Sequence, residues 1–183
     1  MRVIAGSARR CSLVCPKGDQ TRPTTDRIKE TLFNILQTEV PEARFLDLFS
    51  GSGGIGIEAL SRGAKQSIFV ENAREAVACI KTNLKKTGLT DKAQVMAMDV
   101  MQAVRRLNEL HQPFDIIFMD PPYRKNVEAQ LIPLLLESSL VEEGTLIIAE
   151  TALDTDISYI ENFSCQIEKV KDYKTNRHVF LRV

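Results

Sequence analysis

Apolar residues along the chain fall into short continuous runs that alternate with longer stretches in which they recur every three or four positions. From about residue 44 onward, the runs at residues 44–49, 66–70, 93–98, 115–119 and 145–150 read as strands. The stretches between them, 54–62, 73–87, 101–111 and 127–138, read as helices. In the second of these, Ala73, Val77, Ile80 and Leu84 lie along one face. Pro133 in the fourth predicts a kink or a break, because proline removes a backbone donor and crowds the preceding turn. Alternation of this kind builds a parallel sheet covered by helices on both faces. The end of the chain departs from it. Residues 165–173 and 178–183 are strand-like but separated only by Lys174-Thr175-Asn176-Arg177, too few residues for a crossover helix, so they are expected to pair antiparallel.

Ahead of the sheet, residues 2–5 and 12–15 are expected to form a hairpin through residues 6–10. Thr21-Arg22-Pro23-Thr24 reads as a turn, with Thr24 or Thr25 capping a helix that runs to Gln37. Ile28, Leu32, Ile35 and Leu36 give that helix an apolar face. The expected organisation is an appendage, residues 1–40, ahead of one α/β domain, residues 41–183.

A chain of 183 residues, 44% hydrophobic and 26% charged, fits one globular domain that needs no disulfide or metal staple. No run approaches the ~20 apolar residues of a membrane helix, and the first residues lack a signal-peptide pattern, so a soluble cytoplasmic protein is expected. The formal net charge is zero, yet residues 1–30 and residues 169–183 each carry a net +4, leaving the middle at −8. Basic ends on an acidic body suit a phosphate-rich partner. Cys11, Cys15, Cys79 and Cys165 make no CxxC and have no histidine at zinc-like spacing, so reduced structural thiols and no metal are expected. His111 and His178 have no ligand-like neighbours in sequence and read as structural or exposed.

The chemistry concentrates after the first and fourth strands. Gly51, Gly53 and Gly56 stand in GxGxxG spacing between a strand and a helix, a pattern that lets a ligand approach the backbone. Glu71, at the end of the next strand, is placed to accept hydrogen bonds from ribose hydroxyls. Asp99 follows the third strand and could contact an adenine amino group or cap a helix. Asp120-Pro121-Pro122-Tyr123 follows the fourth. There the Asp120 carboxylate and the Pro121 carbonyl are two acceptors for an exocyclic NH₂, and the Tyr123 ring can stack on the base carrying it.

Asp-Pro-Pro-Tyr together with the glycine motif resembles the S-adenosylmethionine-dependent methyltransferases that modify exocyclic amino nitrogens. Arg2-Val3-Ile4-Ala5-Gly6, Thr21-Arg22-Pro23-Thr24-Thr25-Asp26-Arg27, Leu32-Phe33-Asn34-Ile35-Leu36 and the loop from Asp47 to Ala64 are more specific. They resemble the bacterial 16S ribosomal RNA guanine-N2 methyltransferase family, which acts on guanine-966, over nearly the whole chain. Two departures are Cys11, where members often have a basic stretch, and Lys174 after Tyr173, where they often have glycine.

The resemblance implies a Rossmann-like class I methyltransferase fold, a seven-stranded, mostly parallel sheet with an antiparallel last strand. It implies Asp47 with the Gly51–Gly53 backbone at the methionine end of the cofactor, Glu71 at its ribose and Asp99 at its adenine, with Arg22 and Thr24 close by. Asp120, Pro121 and Tyr123 would hold the target guanine; separately, the basic N-terminal segment leads to the expectation that Arg9, Arg10 and Lys17 contact RNA phosphates. The implied partner is 16S ribosomal RNA in a partly assembled small subunit. Rival readings are an adenine-N6 DNA methyltransferase, for whose target-recognition region the chain has no room, and a protein-glutamine methyltransferase, which would more usually carry Asn at position 120. A nicotinamide oxidoreductase leaves residues 120–123 idle, and a non-enzymatic RNA-binding module explains only the basic ends.

Overall fold

A computed structural model describes residues 1–16, 26–122 and 126–183. Five helices and seven strands are named in chain order. They are α1 (Asp26–Ile35), β1 (Arg44–Leu48), α2 (Gly54–Ser61), β2 (Gln66–Glu71), α3 (Arg74–Thr87), β3 (Ala93–Ala97), α4 (Val100–Asn108), β4 (Ile116–Met119), α5 (Val127–Leu136), β5 (Leu146–Thr151), β6 (Gln166–Asp172) and β7 (Arg177–Arg182). The strands form one sheet in the order β3-β2-β1-β4-β5-β7-β6. All neighbours from β3 to β5 run parallel, and β7 is antiparallel to both β5 and β6. The expected seven-stranded architecture and its reversed last strand are both present.

Period-two alternation divides the central strands between two apolar layers. Phe45, Phe69, Ile116, Phe118, Ile148 and Phe180 face one side, where they pack with Leu32 and Phe33 of α1, α2, and Ile80 and Leu84 of α3. Leu46, Ile68, Ile117, Met119, Ile147 and Leu181 face the other, against Val104 and Leu107 of α4 and Leu131 and Leu135 of α5. Every residue of α2 is buried, because the helix lies under both the sheet and the N-terminal segment.

One local expectation is corrected in extent. The N-terminal hairpin is reduced to a single bridge, Arg2–Ser12, with flanking backbone bonds such as Val3 N–H to the Cys11 carbonyl (2.9 Å). The segment is instead anchored by the buried Glu58 carboxylate of α2. It accepts from the Ile4 and Ala5 amides at 2.8 and 3.0 Å and from Arg62 at 2.8 Å, and pairs with the buried Lys29 ammonium at 3.3 Å. Burial lowers the Lys29 pKa, and the Glu58 charge opposes that shift. In α5 the helix continues through Pro133 to Leu136, so the proline does not break it. Proline costs about 3 kcal/mol in a helix interior. Burying Leu131, Ile132 and Leu135, at roughly 1.5–3 kcal/mol each, outweighs that.

Candidate active site

The chain leaves β1 toward β2 and β3 on one side and returns through β4 and β5 on the other, so sheet order reverses between β1 and β4. In open α/β sheets that reversal opens a crevice at the strands' carboxyl ends. Both sequence motifs arrive there. The glycine loop follows β1, Asp120 follows β4, and the Asp120 amide reaches the Leu48 carbonyl at 3.5 Å.

The turn out of β1 needs unusual backbone. Phe49, Gly51 and Gly53 have φ of 62°, 54° and 80°. A phenylalanine in the left-handed region is strained, and such strain collects at ligand-binding turns. Ser50 braces the turn by donating to the Asp47 carbonyl at 2.6 Å. Gly56 is required for a different reason: a Cβ there would lie 2.4 Å from the Phe69 ring and 2.7 Å from Ser67 Oγ.

Three acids lie toward the carboxyl ends of β1, β2 and β3. Asp47 is almost fully buried, and its Oδ2 accepts from the Gly56 amide at 2.9 Å. Burial raises its pKa to about 7; the Gly56 bond opposes the rise and the Glu71 charge adds to it. Glu71 accepts from the Gly51 amide at 2.8 Å through Oε2, and from the Asn72 and Ala73 amides at 2.9 Å through Oε1. It is therefore the brace of the glycine loop, a role its sequence spacing did not reveal. Asp99 caps α4, with Oδ1 accepting from the Met101 and Gln102 amides at 2.9 and 3.4 Å. The helix-cap alternative is thus realised.

Asp120 is partly exposed, and Pro121 beside it is buried. Desolvation pushes the Asp120 carboxyl well above the usual carboxylate range, and the charges of Glu150 and Asp47 push it the same way. Glu150 and its partners went unnoticed in the sequence. Glu150 Oε2 lies 2.9 Å from His178 Nε2, its Oε1 accepts from Asn176 at 2.7 Å, and Tyr173 OH lies 3.4 Å from His178 Nδ1. His178 is fully buried, edge-on to Phe118 and Phe180. The only sequence signal was a histidine in an apolar run one strand from a glutamate, which carries no meaning until the strand register is known.

The remaining expected site residues divide in two. Arg9 and Arg10 lie exposed on the N-terminal turn. Lys17, Arg22, Thr24 and Tyr123 lie outside the described residues, as do both candidate caps of α1. Several other basic residues of the chain ends are held in ion pairs: Arg2 with Asp26, Arg177 with Asp172, and Arg182 with Glu39 and Glu168. The charge asymmetry therefore overstates what is free to meet a phosphate.

Residues 1–181 match the family described as Conserved hypothetical protein 95. YlbH of Bacillus subtilis, provisionally named an rRNA methyltransferase, is 44% identical over 150 residues, 82% of each chain. Ribosomal RNA small subunit methyltransferase D of Haemophilus influenzae is 36% identical over 171 residues, covering 92% of this chain and 88% of that protein. The chain belongs to this methyltransferase family. Its family resemblance and its fold class both stand. A solved structure of a hypothetical protein from Thermus thermophilus superposes with a TM-score of 0.86 at 33% identity, over 100% of this chain and 99% of that one. Among the described residues, no helix is long and apolar enough to cross a membrane.

Proposed function

We propose that the chain transfers a methyl group from S-adenosylmethionine to the exocyclic N2 of a guanine in 16S ribosomal RNA, within a partly assembled small subunit in the cytoplasm. The observation that carries the reading is the convergence of Asp120 and the strained glycine loop on one crevice, in a chain whose relatives are named for methylating ribosomal RNA. Residues 1–40 would contact the RNA, with Arg9, Arg10 and Lys17 on its phosphates.

The site chemistry fits the cofactor. Asp47 is a buried carboxylate raised by desolvation to about 7, and a cationic ammonium set against it would restore its charge. Glu71 has both oxygens engaged by backbone amides, yet a carboxylate offers about four acceptor positions, which leaves capacity for a ribose hydroxyl. Asp99 would meet the adenine, the Gly51–Gly53 backbone the methionine end, and Arg22 and Thr24 would lie near them. When bound, S-adenosylmethionine supplies an electrophilic methyl carbon.

The protein's task is to aim a poor nucleophile. The N2 lone pair of guanine is delocalised into the ring. Asp120 and the Pro121 carbonyl accept from its two N–H groups and favour a pyramidal nitrogen. Tyr123 stacks on the extruded base, and orientation then supplies much of the acceleration. The test is to incubate small subunits from cells lacking this protein with the enzyme and methyl donor, then to digest the RNA for nucleoside mass spectrometry. N2-methylguanine is the expected product. Its absence, or N6-methyladenine in a parallel DNA reaction, would overturn the reading.

A further inference from the structure

Behind Asp120, on the side away from the glycine loop, a second polar group crosses the sheet. One step beyond the Met119–Ala149 pair of β4 and β5, Asp120 comes level with Glu150, and Glu150 is the register partner of His178 on β7. By alternation, all three belong to the same face of the sheet as Phe118, Ile148 and Phe180. Asp120, Glu150 and His178 thus form one row across three adjacent strands, running from the crevice into the core.

We propose that Glu150, clamped by His178 and Asn176, is a positioning residue that holds a fixed negative charge beside Asp120 and so makes Asp120 the acceptor of the proton released at the target amino group. The inference rests on the function proposed above. When the N2 lone pair enters the new N–C bond, the electron pair of the broken methyl–sulfur bond leaves with sulfur. N2 must then shed one proton: its N–H bond breaks, the pair stays on nitrogen, and an O–H bond forms on Asp120. A carboxylate with an ordinary proton affinity is a weak base for this, and one matched to the working pH is a better one.

The hydrogen bonds fix the row's polarity. A carboxylate only accepts, so His178 Nε2 carries the hydrogen directed at Glu150 Oε2. In the neutral ring Nδ1 is then an acceptor, facing the Tyr173 hydroxyl. Burial and the Glu150 charge raise the Tyr173 pKa to about 12, so it stays a neutral donor. Donors from β7 and from the Tyr173–Asn176 turn therefore converge on Glu150 and fix its orientation behind Asp120. Among the described residues, the titratable groups facing Asp120 are Glu150 and Asp47; Glu150 in turn faces His178 and Tyr173, and Asp47 faces Glu71.

The decisive measurement needs neither cofactor nor RNA. In unliganded protein carrying ¹³C-labelled aspartate carboxyls, the Asp120 resonance is identified by its loss in Asp120→Asn, and its titration midpoint is followed. Glu150→Gln keeps the shape and removes the charge, so the midpoint should fall by about one to two pH units, the scale of a neighbouring like charge. His178→Phe keeps the ring contacts but removes the donor. It should move the midpoint in the same direction by less, while His178→Gln, which keeps a donor, should restore most of the wild-type value. An unmoved midpoint in Glu150→Gln overturns the proposal; if that variant does not fold, an unmoved midpoint in His178→Phe overturns it instead. In single-turnover methylation the acid limb of the pH profile should move down with the midpoint, and an acid limb that stays in place also overturns it. Near-wild-type methylation by Asp120→Ala would instead remove the amino-group reading itself, leaving the carboxyl titration to judge the row separately.

Discussion

The stability of unliganded Asp47→Asn relative to wild type should rise with pH. Asp47 has its pKa raised from 3.8 to about 7 on folding. A carboxyl that holds its proton more tightly folded than unfolded contributes most below its unfolded value. That contribution is lost as pH rises from 3.8 to about 7, because above 3.8 the unfolded chain ionises freely while the native state does not. The whole loss is about 4 kcal/mol, at 1.36 kcal/mol per unit, and about 2.5 kcal/mol of it falls between pH 5 and pH 8. Asn keeps a carbonyl for the Gly56 amide but brings an NH₂ that also needs a partner. The two variants will therefore differ by a constant offset, and the signal is how their difference changes with pH. Urea unfolding of wild type and Asp47→Asn at pH 5 and pH 8 measures it. The stability of the variant relative to wild type should rise by about 2.5 kcal/mol between the two pH values. In melting temperature, that corresponds to roughly 5–10 °C for a chain of this size. A difference that does not change between pH 5 and pH 8 would refute the idea that Asp47 is held at the cost of folding stability. The same variant should bind S-adenosylmethionine more weakly by calorimetry, since it has lost the charge expected to meet the ammonium.

Asp120→Ala should lower single-turnover methylation on the order of 10²–10³-fold at unchanged cofactor affinity, with Asp120→Asn retaining more because one acceptor survives. Glu58→Ala, by leaving Lys29 buried without its carboxylate and the Ile4 and Ala5 amides without their acceptor, should cost about 3–5 kcal/mol in urea unfolding. Gly56→Ala should destabilise by about 1–3 kcal/mol, because its Cβ would press on the Phe69 ring; unchanged stability would mean the ring moves freely. Changing Arg9, Arg10 and Lys17 together to Ala should flatten the salt dependence of RNA binding by about 0.7–0.9 in slope per lost contact, leaving cofactor affinity intact; a wild-type slope would make them solvated surface only.

The sheet and its helices were legible because β1, β2, β4 and β5 are buried on both faces and read as continuous apolar runs, while α3 and α4 bury one stripe and read at helical period. The glycine loop and Asp120 were legible because turns and prolines act locally. Glu58 was not: it sits in α2, which is buried all round, so one acid among Ile57, Ala59 and Leu60 gave no hint of the four groups it binds. Neither was the row of Asp120, Glu150 and His178, whose members are 30 and 28 residues apart and meet only through strand register. The break that Pro133 allowed is absent, since a local propensity was overridden by tertiary burial.

The insertion of β7 between β5 and β6 also dictates an order of assembly. As the chain emerges, β5 appears first, then β6, yet β6 touches β5 only through a strand made after both. Until β7 arrives, Leu146, Ile147, Ile148 and Ala149 line an unpaired strand edge, an apolar, uncharged stretch of the kind that recruits other chains into aggregates. Mature β6 carries the opposite character, with Glu168, Lys169 and Lys171 along a mostly exposed edge that discourages such pairing. The vulnerable period therefore lies between synthesis of β5 and docking of β7. Versions of the protein ending before Arg177 should be held by chaperones or precipitate, whereas loss of β6 charges should harm the finished protein instead.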